Sequence, residues 1–267
     1  MERFEIRNEA GQVLNTIDEW KLGFNDDIHW KEGYSAHSLA QFFTSGKGFI
    51  WLDELANIIF EESIIWQDAI IEHKSKLDSY RGKHRMQDLA LWGATYINKS
   101  VFVGIEAKVL ESFGNYSLRD EYEDALNYQK TKNNNSNRPD RVKETTEFLF
   151  PGRTPYDEKI CNLRYQLMYY FRASILEAAS YKESIKALSK RKRRADIVVL
   201  PVLIFETNHY KSDIEKGRLN KYDYEVFCET LGLKKEIIRG KEFWTGEIDG
   251  RKIYSLYEKI DLCTTLK

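Results

Sequence analysis

Proline and glycine are scarce. Four prolines and 15 glycines among 267 residues exclude collagen-like and proline-rich linker architectures. The three cysteines, Cys161, Cys228 and Cys263, are odd in number and far apart, with no close Cys/His pair of the zinc-finger kind. Free thiols are therefore expected rather than a disulfide framework. No apolar run approaches the roughly 18–20 residues needed to span a bilayer, so no membrane partner is expected. An excess of one charge is also missing, since 41 basic residues face 42 acidic ones for a net charge of -1. That balance argues against coating nucleic acid by bulk charge and leaves only a local basic patch for the task. Met1 to Glu5 lack the basic start and apolar stretch of a secretory signal, which points to a reducing cytoplasm. There is no phosphate-binding Gly-Lys-Ser loop, no dinucleotide fingerprint and no Gly-X-Ser-X-Gly elbow. The five histidines, His29, His37, His73, His84 and His209, show no i, i+4 pair, which leaves a zinc enzyme without support.

What is present is a folding sequence: 42% hydrophobic and 13% aromatic residues can build a sizeable core. After a strand-like N-terminal piece, Ser35 is a candidate cap for a short helix through Phe43, broken by Ser45-Gly46-Lys47-Gly48. Leu52, Leu55, Ile58, Ile59, Ile65, Trp66, Ala69 and Ile70 lie mostly three and four apart, so the spacing predicts one long helix closing at Leu77. Leu89–Tyr96 and Val101–Leu110 read as a β-hairpin around Asn98-Lys99-Ser100. Residues 115–158 are polar and read as an insertion with some helix and a mobile centre at Asn133–Asn137. An amphipathic helix from Glu158 to Ala179 precedes a basic run and the apolar strand Ile197–Phe205, where Pro201 suggests an edge or bulge. A helix near Tyr222–Leu231 and a hairpin turning at Asp249-Gly250 complete an α/β chain.

The hairpin carries the chemistry. On its second strand the two-residue period puts Glu106 and Lys108 on one face and Val103, Ile105, Ala107 and Val109 on the other. Charges on so apolar a strand need a reason. With the turn centred near residues 98–99, Asp88 falls opposite residue 109 or 110, close enough for Asp, Glu and Lys to converge. Two hard carboxylates suit a magnesium ion, with manganese able to substitute, and the Ala107 carbonyl offers a further ligand. Lys108 would act as a compact positive charge beside the phosphate or the attacking water.

Asp88, a seventeen-residue spacer and Glu106-Ala107-Lys108 in an apolar strand resemble the PD-(D/E)XK motif of the restriction-endonuclease-like nuclease superfamily, and most of all its uncharacterised bacterial branch. Gln87 stands where that family often has proline. The resemblance covers roughly residues 52–206. It implies an αβββαβ core, a mixed sheet flanked by helices, although the first core strand gives no clear pattern. It further implies a magnesium-dependent deoxyribonuclease acting on DNA, in bacterial restriction or anti-phage defence, alone, as a homodimer or with a partner protein. The alternative expectation is a catalytically silent nuclease-like fold that serves as an interaction module.

On this reading residues 1–51 are an extension packed on the core, 52–206 the nuclease-like core and 207–267 a C-terminal addition. Relatives often carry a Gln or Lys on the helix after the motif strands, which makes Gln166 a candidate to orient water or phosphate, with Arg164 beside it. Glu72 resembles an extra helical acid of some members. Lys190, Arg191, Lys192, Arg193 and Arg194 form the one basic run able to track a phosphate backbone.

Overall fold

A computed structural model describes residues 4–24, 30–80, 85–109, 111–180, 195–207 and 214–263. The basic run Lys190–Arg194, together with His29, His84 and His209, lies outside the described residues. The elements in chain order are α1 (Ile17–Lys21), α2 (Ser35–Thr44), α3 (Lys47–Phe60), β1 (Ile64–Ser75), β2 (Arg85–Thr95), β3 (Ser100–Lys108), α4 (Leu118–Thr131) and α5 (Arg138–Leu149). They continue with α6 (Tyr165–Ala179), β4 (Ile197–Glu206), α7 (Ile214–Thr230), β5 (Lys234–Ile238), β6 (Lys241–Ile248) and β7 (Arg251–Asp261). Among the described residues no helix is long and apolar enough to cross a membrane.

Among the described residues seven strands form one mixed sheet in the order β1-β2-β3-β4-β7-β6-β5. The first three make an antiparallel meander. A crossover through α6 then brings β4 in parallel to β3, and β7 is parallel to β4. The chain is thus α/β, with helices covering both faces. Val103, Ile105 and Ala107 of β3 turn to Leu39, Phe43, Leu52 and Leu55 of α2 and α3. Phe102 and, from β4, Val198, Leu200 and Val202 turn instead to Leu167, Phe171 and Ile175 of α6 and to Tyr224 and Phe227 of α7.

Four sequence expectations change. The long helix ends at Phe60, where Glu61 takes a left-handed φ of 62°. The apolar residues beyond it belong to β1, the core strand that the sequence pattern hid. Tyr34, not Ser35, occupies the N-cap position of α2. The polar insertion is ordered into α4 and α5, with six residues between Thr131 and Arg138 in place of a long loop. A Ser117–Asp120 capping box starts α4, and Pro139 sits in the first turn of α5, where a missing N–H costs nothing.

Pro201 is neither at an edge nor in a bulge. It lies among the buried residues of β4, between β3 and β7. The β3–β4 ladder skips Gly104 and Ile105, while the register on either side of the gap is unchanged. The Tyr170 hydroxyl donates to the Gly104 carbonyl there at 2.5 Å, so a side chain supplies a donor where proline offers none.

The C-terminal hairpin turns at Asp249-Gly250 as expected, both at positive φ, and a second one turns at Arg239-Gly240 in the same way. All three cysteines are free.

Candidate active site

β3 is a central strand, and every residue from Val101 to Lys108 is buried. Its period of two turns Glu106 and Lys108 to the α6 side. Glu106 is 1% exposed and Lys108 6%, and the Lys108 Nζ lies 2.9 Å from the Glu106 Oε1. The first turn of α6 closes over the pair, where the Gln166 Nε2 donates to the same Glu106 oxygen at 3.0 Å. Gly114, at a φ of 70°, lies against Gln166 in the bend after β3, a backbone conformation that favours glycine.

Asp88 arrives from β2, but in a different register from the one expected. The ladder pairs Leu89 with Ile105, which puts Asp88 level with Glu106 rather than with residue 109 or 110. The reason is a turn centred earlier: Ala94 pairs with Ser100, so the hairpin turns about residue 97, where the Thr95 N–H donates to the Lys99 carbonyl and Asn98 takes a φ of 62°. Beyond Leu89 the regular pairing stops, and the Asp88 Oδ2 accepts the Ala107 N–H at 2.6 Å. A carboxylate thus replaces a backbone carbonyl as the acceptor and is held beside the Glu106–Lys108 face.

Burial alone would drive Lys108 toward its neutral form. Glu106, Asp88 and Glu111 outweigh that penalty and hold its pKa above the ordinary lysine value. Lys108 is therefore an ammonium at neutral pH, fixed among three carboxylates. Glu111 is the member that sequence reasoning missed. It sits three residues beyond Lys108, outside any strand, with its Oε2 accepting the Val109 N–H and its carbonyl accepting the Asn220 Nδ2. A carboxylate soon after the Glu-X-Lys motif was the available signal.

Gln87, in the position where the resemblance leads one to expect proline, is fully buried and donates through Nε2 to the Ser75 Oγ. A Cβ at Gly104 would come within 2.7 Å of its Oε1, so glycine makes room for this amide.

Other candidates fall elsewhere. Glu72 is in β1 at a φ of 47°, not on a helix. Arg164 occupies the N-cap position of α6 and pairs with Asp223 at 2.8 Å. His73, which the sequence placed only among five histidines without metal-site spacing, is 3% exposed and lies between Glu9, at 2.9 Å, and Glu177 of α6, at 3.1 Å.

No curated protein and no solved structure matches this chain. A family model described as a domain of unknown function, DUF6946, matches residues 13–261 and so takes in every element from α1 to β7. By that match the chain belongs to the DUF6946 family.

Proposed function

We propose that the protein is a metal-dependent nuclease that hydrolyses phosphodiester bonds of DNA. The observation that carries this reading is the buried Glu106–Lys108 pair on one face of a central strand, with Gln166 bonded to it and Asp88 held alongside. Structural charges are rarely placed so deep without a task, because removing them from water is costly. With α4 and α5 set aside as an insertion, the order α3, β1, β2, β3, α6, β4 also follows the αβββαβ sequence of elements implied by the PD-(D/E)XK resemblance.

The donor set fits a small hard cation. Asp88 and Glu106 offer carboxylate oxygens, and magnesium is commonly held by one or two of these while it keeps several waters. Asp88, Glu106 and the Ala107 carbonyl are the groups that would hold it. When bound, such an ion polarises a phosphoryl oxygen and acidifies water.

The chain's own residues supply the rest. Lys108, kept charged by its three acidic neighbours, stabilises negative charge that grows on the phosphate and is no general base in this state. Gln166 fixes the rotamer of Glu106 through its amide. Ala107 holds Asp88 in place through its N–H.

The test is cleavage of supercoiled, linear and single-stranded DNA in magnesium and in manganese. Wild type cuts, and Glu106→Gln and Lys108→Met, with folding checked by circular dichroism, each lose at least about a hundredfold in rate. A wild type inert on all three DNAs, or a variant that cuts at the wild-type rate, overturns the proposal. The first of these results returns the chain to the reading of a silent interaction module.

A further inference from the structure

The first turn of α6 has a second face. Tyr165 and Tyr169, about 100° and 60° round the helix from Gln166, line a cleft of about 1060 Å3 between α4, α5, α6 and the segment after β1. Tyr165 and Gln166 are consecutive, so one turn of α6 carries both a wall of this cleft and the amide bonded to Glu106.

Its chemistry selects among ligands. Tyr80 and Tyr128 join Tyr165 and Tyr169 in the wall, and the last two rings are stacked at 5.6 Å and 23°. Among the described residues Val142 is the one aliphatic side chain in the lining, so a greasy ligand is poorly served. Both guanidiniums of the lining are already paired, Arg138 with Glu121 and Asp124 at 2.9 Å and Arg141 with Asp78 at 2.6 Å, so a phosphate gains little there. The Arg138 guanidinium also lies 5.8 Å from the centre of the Tyr128 ring. Asn133, Asn135 and Asn137 bring amide donors and acceptors to the rim, and a bond from the Gln129 Nε2 to the Ser136 carbonyl at 2.6 Å fixes that loop. Aromatic faces with an amide rim suit a flat, uncharged group with a hydrogen-bonding edge.

We propose that this cleft receives an unpaired nucleobase of the strand bound at the Glu106 site. The inference rests on the nuclease reading for the identity of that strand. A base stacks on tyrosine through its face and bonds to asparagine through its edge, and such stacking tolerates any base. The volume lies just above the range of about 300–1,000 Å3 for ligand pockets, which leaves room for the sugar as well.

The experiment uses oligothymidylate carrying one 2-aminopurine, titrated with protein in EDTA so that no cleavage intervenes. Binding quenches the fluorescence. Tyr169→Ala and the exposed Tyr128→Ala each weaken binding by about 5- to 150-fold, whereas Tyr169→Phe keeps the ring and the affinity. A quench indifferent to Tyr169→Ala and Tyr128→Ala, or equal affinity for an oligonucleotide abasic at that position, overturns the inference. If DNA is cleaved while the quench ignores both tyrosines, the cleft proposal falls and the nuclease reading stands. A tyrosine-dependent quench in a protein that cuts nothing supports the cleft and removes the catalytic reading.

Discussion

Lys108 is an ammonium in a place where an isolated charge would not stay charged. Its partners make the difference, and they make the site a stability element as well as a chemical one. Lys108→Met strands the Glu106 carboxylate at 1% exposure, and losing one half of a buried pair costs about 3–5 kcal/mol. Neutralising both halves costs less, so Glu106→Gln/Lys108→Met should be more stable than Lys108→Met alone in urea unfolding. A double variant weaker than either single one would show that the pair is not a coupled unit. The pH dependence has a definite sign. Because the folded pKa is raised, the stabilisation is fully present below the unfolded lysine value of about 10.4 and fades only as pH climbs through the folded value. The stability gap between wild type and Lys108→Met should therefore stay level from pH 7 to about 10 and narrow above it. A gap that closed between pH 6 and 8 would contradict the placement of this charge.

β1 shows where pattern reading fails and why. Ile65, Trp66, Ala69 and Ile70 sit at spacings that satisfy a helix, yet they pair with β2 from Ile64↔Thr95 to Ser75↔Arg85. An irregularity between Trp66 and Asp68 inserts one residue into β1, and this disguises the two-residue alternation. Edge exposure adds to the disguise, since Ile65 is 52% exposed while Ile71 is fully buried. In β3, by contrast, the alternation is clean, so the shared face of Glu106 and Lys108 was legible in the sequence. The resemblance, which points to a Gln or Lys on the helix after the motif strands, made Gln166 legible too. The level of Asp88 was not, because it depends on a turn whose exact centre shifts every cross-strand partner. Nor was the His73 contact with Glu177, which joins residues a hundred positions apart. The irregular strand makes its own prediction through Gly93, where an added Cβ would lie 2.5 Å from the Ile64 Cγ2 and 2.9 Å from the Ile65 carbonyl oxygen. The second contact is backbone and cannot swing aside. Gly93→Ala should cost about 1–3 kcal/mol in urea unfolding, and a neutral result would mean that β1 is free to shift along β2.

At the scale of the whole molecule, α6 ties the parts together. Gln166 reaches Glu106, Tyr170 reaches Gly104, Glu177 reaches His73 of β1, and Arg172 bonds to Thr145 of α5 and to the Leu77 carbonyl after β1. The site is therefore assembled by the same helix that locks the insertion and the first strand to the sheet. Occupancy of the site must then be felt by the global unfolding equilibrium, because a ligand that binds only the folded state stabilises all of it. At a hundredfold excess over its dissociation constant a cation contributes about 2.7 kcal/mol, which for a chain of this size is a rise of roughly 5–10 °C in melting temperature. Magnesium and manganese should each produce that rise in wild type. Asp88→Asn removes one carboxylate but keeps an oxygen to accept the Ala107 N–H, so the fold survives while the ion loses a charged ligand. The rise should shrink or vanish in that variant. Melting curves that superimpose with and without the metals in wild type, or an equal rise in Asp88→Asn, would mean that Asp88 and Glu106 are not brought level with each other to hold an ion.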